Sequence, residues 1–239
     1  MKTKIPAFII HVKGAIARRE RMETLIEKYS QFDWQFIEKG NISDLSATVL
    51  QKYFIGKMAK KSPFVSCAYK HLLAWQAISE SAQTHHLIIE DDIKFYKNFN
   101  TMISNIVIEI EQNNYCNYLI SLEDSLPRYV PRSERKFNTF LYRRSEVRFL
   151  GAYLISRETA ILLSKEAETV KIGTTVDWFL SNCLKNKLIN GFWCQPAVAC
   201  QASLSGEMPS LIDNKKSGGF RFFNFTIQRN IKKLRAFLK

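Results

Sequence analysis

The chain is poor in the residues that loosen or staple a polypeptide. Its 239 residues include only 9 Gly and 6 Pro, which excludes collagen-like and low-complexity fibres. Cysteine is sparse and scattered, with Cys67, Cys116, Cys183, Cys194 and Cys200 forming no C-x-x-C pair. An odd set of this kind argues for buried thiols in a reducing compartment over a disulfide scaffold or a zinc motif. Long apolar runs are missing: none approaches the roughly 20 residues that span a bilayer. Ile5 to Val12 is too short for a secretory leader and lacks its small-residue cleavage site. Acids are also in deficit, 22 against 35 Lys+Arg, for a formal net charge of +13.

What is present is apolar enough to fold. Hydrophobic residues make up 46% and aromatics 13%, more than a disordered chain carries. The length accommodates one full domain or two small ones. The expectation is a soluble, basic, intracellular globular protein whose excess charge has a partner.

The pattern alternates between strands and helices. IPAFIIHV (5–12) is apolar on both faces, as in a buried parallel strand. Met22, Leu25, Ile26 and Tyr29 then recur at helical spacing, and a short strand follows at Trp34–Ile37. Residues 38–63 read as loop and a short helix, with Ser66 as the cap of a helix carrying Leu72, Trp75 and Ile78. Phe99, Met102, Ile103, Ile106, Val107 and Ile110 form another stripe, followed by a strand near Tyr118–Leu122. FLGAYLIS reads as strand, Glu158–Glu168 as helix, and Val176, Phe179, Leu180, Cys183 and Leu184 as a last stripe. This order predicts an α/β fold with a mostly parallel central sheet. The expected organisation is one domain over 1–212 and a basic tail over 213–239.

Two segments concentrate positive charge. From 128 to 148, Arg128, Arg132, Arg135, Lys136, Arg143, Arg144 and Arg148 face only Glu134 and Glu146, and the stretch is expected to be exposed and partly mobile. After Asp213 there is no acid and eight basic residues follow. Ile227, Ile231, Leu234 and Leu238 form a stripe there, preceded by FRFFNF. A basic amphipathic helix of this kind suits an anionic membrane surface; the plainer reading is a helix docked on the domain with its charges solvated.

The chemistry centres on Glu90-Asp91-Asp92, which ends the apolar run Leu87-Ile88-Ile89. Ligands of open α/β sheets gather beyond the carboxyl ends of strands. Residues two apart on an extended chain point the same way, so Glu90 and Asp92 can converge. Two hard oxygen ligands there suit Mg²⁺ or Mn²⁺, with Asp92 first and Glu90 second, whereas the bland reading is a solvated loop. Asp91 would point the other way. His85-His86 is no metal pair, because adjacent strand residues diverge. Trp178, Trp193 and Tyr153 could stack on a sugar, and each is read first as core.

Five segments in order resemble one family. LIIEDDIKF is similar to the acidic motif of the glycosyltransferase 25 family, the bacterial lipooligosaccharide-biosynthesis transferases. IIHVKGAIARRERM resembles its opening element, with His11 in the Asn place and Arg18 and Arg19 as the arginine pair. FVSCAYKHLLAW keeps Cys67, His71 and Trp75 of a third segment, with Lys70 where Ser is usual. GAYLISRETAILL resembles a fourth, and TTVDWFL followed by QPAVACQ the closing elements. The resemblance implies a GT-A-like, Rossmann-related fold. It also implies transfer of a hexose, galactose favoured or else glucose, from a UDP-sugar to a lipooligosaccharide acceptor, metal-dependent and inverting. Carried onto this chain, Asp177 is the candidate general base, the alternative being a helix-terminal acid. His11, Arg18, Arg19, His71 and Asp91 are candidates for donor binding, with Asp91 also placed at the chemistry. Lys70 either contacts phosphate or points to solvent. Such an enzyme would act at the cytoplasmic face of the bacterial inner membrane. A basic nucleic-acid-binding protein or a non-catalytic glycan- or lipid-binding relative are the rival readings; the acids at a strand end, which would repel phosphate without a metal, argue against nucleic acid.

Overall fold

The computed structural model describes residues 4–125, 128–205, 207–209, 211, 227, 228, 230, 231, 234 and 235. The elements begin with β1 (Ile5–Ile10), α1 (Ile16–Ile26), β2 (Phe32–Ile37), α2 (Ala47–Tyr53) and α3 (Pro63–Ser79). They continue with β3 (His85–Glu90), β4 (Ile93–Phe95), α4 (Phe99–Gln112), β5 (Tyr118–Ser121), β6 (Leu141–Arg143) and β7 (Ala152–Ser156). The last are α5 (Arg157–Thr169), α6 (Val176–Lys185), β8 (Asn190–Cys194), β9 (Ala199–Gln201) and the short α7 (Ala202–Ser205).

Seven of the described strands form one sheet in the order β2-β1-β3-β7-β5-β8-β6. The pairs β1–β2, β1–β3 and β5–β8 are parallel, while β7 runs against β3 and β5, and β6 against β8. Five strands therefore share one direction, and the fold is mixed α/β with a mostly parallel sheet. Because β1 lies between β2 and β3, the chain leaves it to one side and returns on the other. That reversal opens a crevice at the carboxyl ends of these strands.

The period-2 alternation of each strand sorts its apolar residues onto two faces. Phe8, Ile10, Ile88, Tyr153 and Ile155 pack with α3, α5 and α6. Ala7, Ile9, Leu87, Ile89, Leu154 and Ile120 pack with Met22 of α1 and the α4 stripe. The result is three layers, helices on both faces, which is why the central strands carry no polar side.

Local chemistry sets the helix starts. α3 begins at Pro63, and its cap is Ser62, whose hydroxyl accepts the Val65 N–H at 3.3 Å. The expected cap, Ser66, lies inside the helix and donates to the Gly40 carbonyl at 2.7 Å instead. Ser156 ends β7 and caps α5 in the same residue.

The 128–148 segment is exposed over residues 132–138, as expected, but is anchored on both sides of that stretch. It contains edge strand β6, pinned where the buried Glu109 of α4 accepts the Phe140 N–H at 2.7 Å. Val130, Tyr142 and Trp193 form a small core of their own. Arg128 pairs with Glu146 and Arg144 with Glu134. Arg148 is buried, donating to the carbonyls of Cys194 (2.8 Å) and Glu123 (3.3 Å). Trp178, expected in the core, is 55% exposed, because it follows Asp177 on the outward side of α6. The 212–213 boundary and most of the basic tail lie outside the described residues. The described tail positions are helical, with Ile227, Ile231 and Leu234 exposed. Among the described residues no helix is long and apolar enough to cross a membrane.

One core group gives a pH signature. His86 is fully buried with neither ring nitrogen hydrogen-bonded, and burial, then the neighbouring His85, pushes its pKa down to about 4. Between its ordinary value near 6.5 and about 4, the unfolded chain binds a proton that the folded chain refuses. Its stabilisation is thus complete above pH 6.5 and lost as pH falls towards 4, by at most roughly 3 kcal/mol at about 1.4 kcal/mol per unit. Denaturant unfolding of wild type and His86→Leu across pH 4–7 should show the wild type losing stability more steeply on acidification.

Candidate active site at the carboxyl edge of the sheet

At the end of β3 the alternation of side chains divides the acidic triplet. Glu90 continues the face of Ile88 towards α3, and Asp91 continues that of Ile89 towards α1. Asp91 and Asp92 form the turn into β4.

Asp91 is held by protein donors. Its Oδ2 lies 2.9 Å from His11 Nδ1 at the end of β1 and accepts the Val12 N–H at 3.4 Å. Its Oδ1 accepts Arg18 Nη1 of α1 at 2.5 Å. Burial pushes this carboxyl up, but the His11 hydrogen bond and the Arg18 charge outweigh it and hold it below the usual carboxylate range. Arg21 clamps the same turn from its backbone, donating to the carbonyls of Asp91 (3.3 Å) and Ile93 (2.6 Å). Arg19 faces elsewhere, lying over the Phe36 ring with Glu23 and Glu38 as ion partners. The arginine pair is therefore divided: one residue grips the acidic turn and the other sits at the surface.

Glu90 and Asp92 are brought together with a third acid, Glu123, just beyond the carboxyl end of β5, with the start of β7 lying between the two strand ends. Asp92 is 4% exposed and its Oδ1 has no hydrogen-bond partner. Burial, and then the charge of Glu90, push its carboxyl up to about 6, against a hydrogen bond from Ser203 of α7. Glu123 is fully buried with Oε1 unpartnered. Burial, then the charges of Glu90 and Asp92, raise it well above the ordinary range, while backbone N–H groups of Gly151 and Gln201 oppose the shift. Gly151 links the acids: its N–H reaches Glu123 Oε2 at 2.8 Å and its carbonyl accepts the Glu90 N–H at 2.9 Å. A Cβ on Gly151 would lie 2.6 Å from the Gln201 side chain and 2.8 Å from Glu123 Oε2, so only glycine fits. Gln201 in turn donates to Glu90 Oε2 at 3.2 Å.

Beneath Glu90, α3 presents Cys67 and His71 one helical turn apart. Cys67 Sγ is 3.9 Å and His71 Nε2 3.5 Å from Glu90 Oε1. His71 is fully buried, with Nδ1 2.9 Å from the Tyr153 hydroxyl, which also accepts the Trp75 indole N–H at 3.0 Å. Burial first, then the charges of Glu90 and Asp177, raise the Cys67 thiol well above its ordinary range, so Asp177 belongs to the same electrostatic neighbourhood. Asp177 sits in the first turn of α6, where its Oδ1 accepts the Thr175 hydroxyl at 2.5 Å.

Two departures from the family pattern acquire structural roles. His11 holds Asp91. Lys70, buried, donates to the Glu38 and Lys39 carbonyls at 3.2 and 3.0 Å, and burial pushes its amine down to about 8. It does not point to solvent. Glu123, Gln201 and Arg21 did not enter the sequence-based set. For Glu123 the signal was legible, since YLISLED repeats the pattern of LIIEDD, an apolar strand ending in acids.

A mixed α/β sheet that gathers acids, a histidine and an arginine at its carboxyl edge defines an enzyme domain built for a polar, charged ligand. The chain belongs to glycosyltransferase family 25 (LPS biosynthesis protein), whose model matches residues 4–180. The protein is thus a glycosyltransferase of lipopolysaccharide biosynthesis, and the match runs from β1 into α6, spanning His11 through Asp177. Comparison with curated proteins returns no match.

The Arg18–Asp91 pair yields a stability test. Both side chains are nearly buried, 11% and 4% exposed, so removing one partner strands a charge at a cost of about 3 kcal/mol or more. Arg18→Ala should lower the denaturation midpoint far more than Arg19→Ala, whose contacts are at the surface.

Proposed function

We propose that this glycosyltransferase moves a hexose, galactose first, from a UDP-sugar to a hydroxyl of a lipooligosaccharide acceptor, with inversion at the anomeric carbon. The observation that carries the reading is the crowding of Glu90, Asp92 and Glu123, with Asp92 Oδ1 and Glu123 Oε1 buried and unpartnered. Carboxyls raised by burial and then by neighbouring negative charge fit a hard divalent cation. Asp92 and Glu90 would hold Mg²⁺ or Mn²⁺, which when bound supplies Lewis-acid stabilisation of the charge on a departing diphosphate. The strand order around β1 supports a GT-A-like, Rossmann-related domain.

The remaining roles fall to the chain itself. Asp91, kept ionised between His11 and Arg18, would present its edge to the donor's ribose or sugar hydroxyls. Arg18 and the start of α1 would supply positive potential for the diphosphate, whereas Arg19 is turned to Glu23 and Glu38. Asp177, on the first turn of α6, would take the proton from the acceptor hydroxyl as that oxygen attacks the anomeric carbon and the bond to the diphosphate oxygen breaks. Trp178, exposed beside it, offers a ring face to the acceptor sugar. The basic tail, with Ile227, Ile231 and Leu234 outward, supports attachment to the anionic cytoplasmic face of the membrane that carries the acceptor.

Purified protein with Mn²⁺, a panel of UDP-sugars and lipooligosaccharide acceptors should transfer hexose, fastest from UDP-galactose. Asp92→Ala should abolish transfer, and Asp177→Asn should lower kcat by about 10²–10⁴-fold with donor KM little changed. No transfer from any UDP-sugar, or undiminished turnover in Asp92→Ala, would overturn the reading. Release from anionic vesicles by high salt, and loss of binding on truncation after residue 212, would check the membrane role of the tail.

A further inference from the structure

We propose that Cys67, His71 and Glu90 form a binding site for a borderline-soft divalent cation of the zinc class, beneath the hard-cation carboxylates and distinct from them in ligand chemistry. The three ligand atoms, Cys67 Sγ, His71 Nε2 and Glu90 Oε1, lie within 4.8 Å of one another. A tetrahedral zinc ion with bonds of about 2.3 Å to sulfur and about 2.0–2.1 Å to nitrogen and oxygen sets its ligands roughly 3.4–3.6 Å apart. The observed separations from Glu90 Oε1 are 3.5 Å to nitrogen and 3.9 Å to sulfur, each within a few tenths of an ångström of that spacing, and the sulfur and nitrogen lie within 4.8 Å of each other.

The surroundings suit such an ion. His71 Nε2 is buried without a hydrogen-bond partner and faces the site, while the other ring nitrogen, Nδ1, is held by the Tyr153 hydroxyl. That is the outer-shell arrangement by which proteins orient a metal-binding imidazole. Asp92, Asp177 and Asp91 add negative potential around Cys67, which favours a cation and opposes a bare thiolate. Binding releases the Cys67 proton to solvent and leaves the fourth coordination position open. Thiolate and imidazole select against Mg²⁺ and Mn²⁺, whose ligands are hard oxygens. Glu90 is the one residue that both sets would share, and an ion here would brace α3 against the end of β3. No C-x-x-C spacing announces the site because its ligands come from a helix and a strand that only the fold brings together.

Co²⁺ titration of the full chain, freed of metal, tests this independently of sugar transfer. The wild type should develop the near-ultraviolet thiolate-to-cobalt band and the intense visible bands of a tetrahedral ion, and Zn²⁺ should displace them. Cys67→Ser should lose the thiolate band, and Tyr153→Phe should weaken binding about 10–100-fold. Cys116→Ser, which removes the exposed thiol, and Asp92→Asn should retain the spectrum. Zinc-edge X-ray absorption of the wild type should show one sulfur at about 2.3 Å, a readout that needs no variant to fold. A wild-type spectrum without a thiolate band, or one unchanged in Cys67→Ser, overturns the site. Failure of hexose transfer with this spectrum intact would count against the proposed reaction alone.

Discussion

Three carboxyl groups packed beyond the ends of β3 and β5, on either side of the start of β7, set the terms for everything around them. Asp92 and Glu123 are drawn out of water by the layers that cover the sheet, which raises both carboxyls; the charge of Glu90 adds to each shift, and that of Asp92 adds to the shift of Glu123. Such a cluster is unfavourable by itself, since burying like charges costs both solvation and repulsion. The fold retains it by ordering the neighbouring backbone: Gly151 and Gln201 turn N–H groups towards Glu123, and Ser203 reaches Asp92. Strain of this kind marks a place where a cation or a proton is wanted.

Asp91 shows the opposite solution one residue away. The turn that exposes Glu90 to α3 swings Asp91 towards α1, where His11 and Arg18 satisfy it and Arg21 holds the turn's own carbonyls. Asp91 and Asp92 thus shift in opposite directions, because the turn delivers one to His11 and Arg18 and buries the other beside Glu90. The division suits a transferase, which handles a permanently charged donor and a moving proton in one crevice. It also explains why His11 can occupy this position: its imidazole serves the acid rather than standing free.

The positive charge resolves into local arrangements of different character. Arg18 and Arg21 stabilise the acidic turn, Arg128 and Arg144 are neutralised by glutamates at the surface, and Arg148 is buried against carbonyls. Eight of the 35 basic residues lie in the tail, after the last acid, Asp213.

The sequence by itself determined the layered α/β class, the helical stripes over α4 and α6, and the acids at the end of β3, because these depend on periods of 2 and 3.6 residues that are local. It carried the family as well, through motifs short enough to read along the chain. The antiparallel insertion of β7, edge strand β6 and the β4–β9 pair escaped it, since three- to five-residue strands take their pairing from distant partners. The same reason separates the site into legible and hidden parts. Glu90, Asp91 and Asp92 declare themselves as a strand end, but Glu123 lies 33 residues beyond Glu90 and Gln201 lies 111 residues beyond it. Only the tertiary structure decided that Asp91 pairs with Arg18, that Arg148 and Lys70 are buried on carbonyls, and that Cys67 and His71 meet Glu90. Each depends on which face of a strand meets which helix, a choice made by packing and not by any neighbour in the chain.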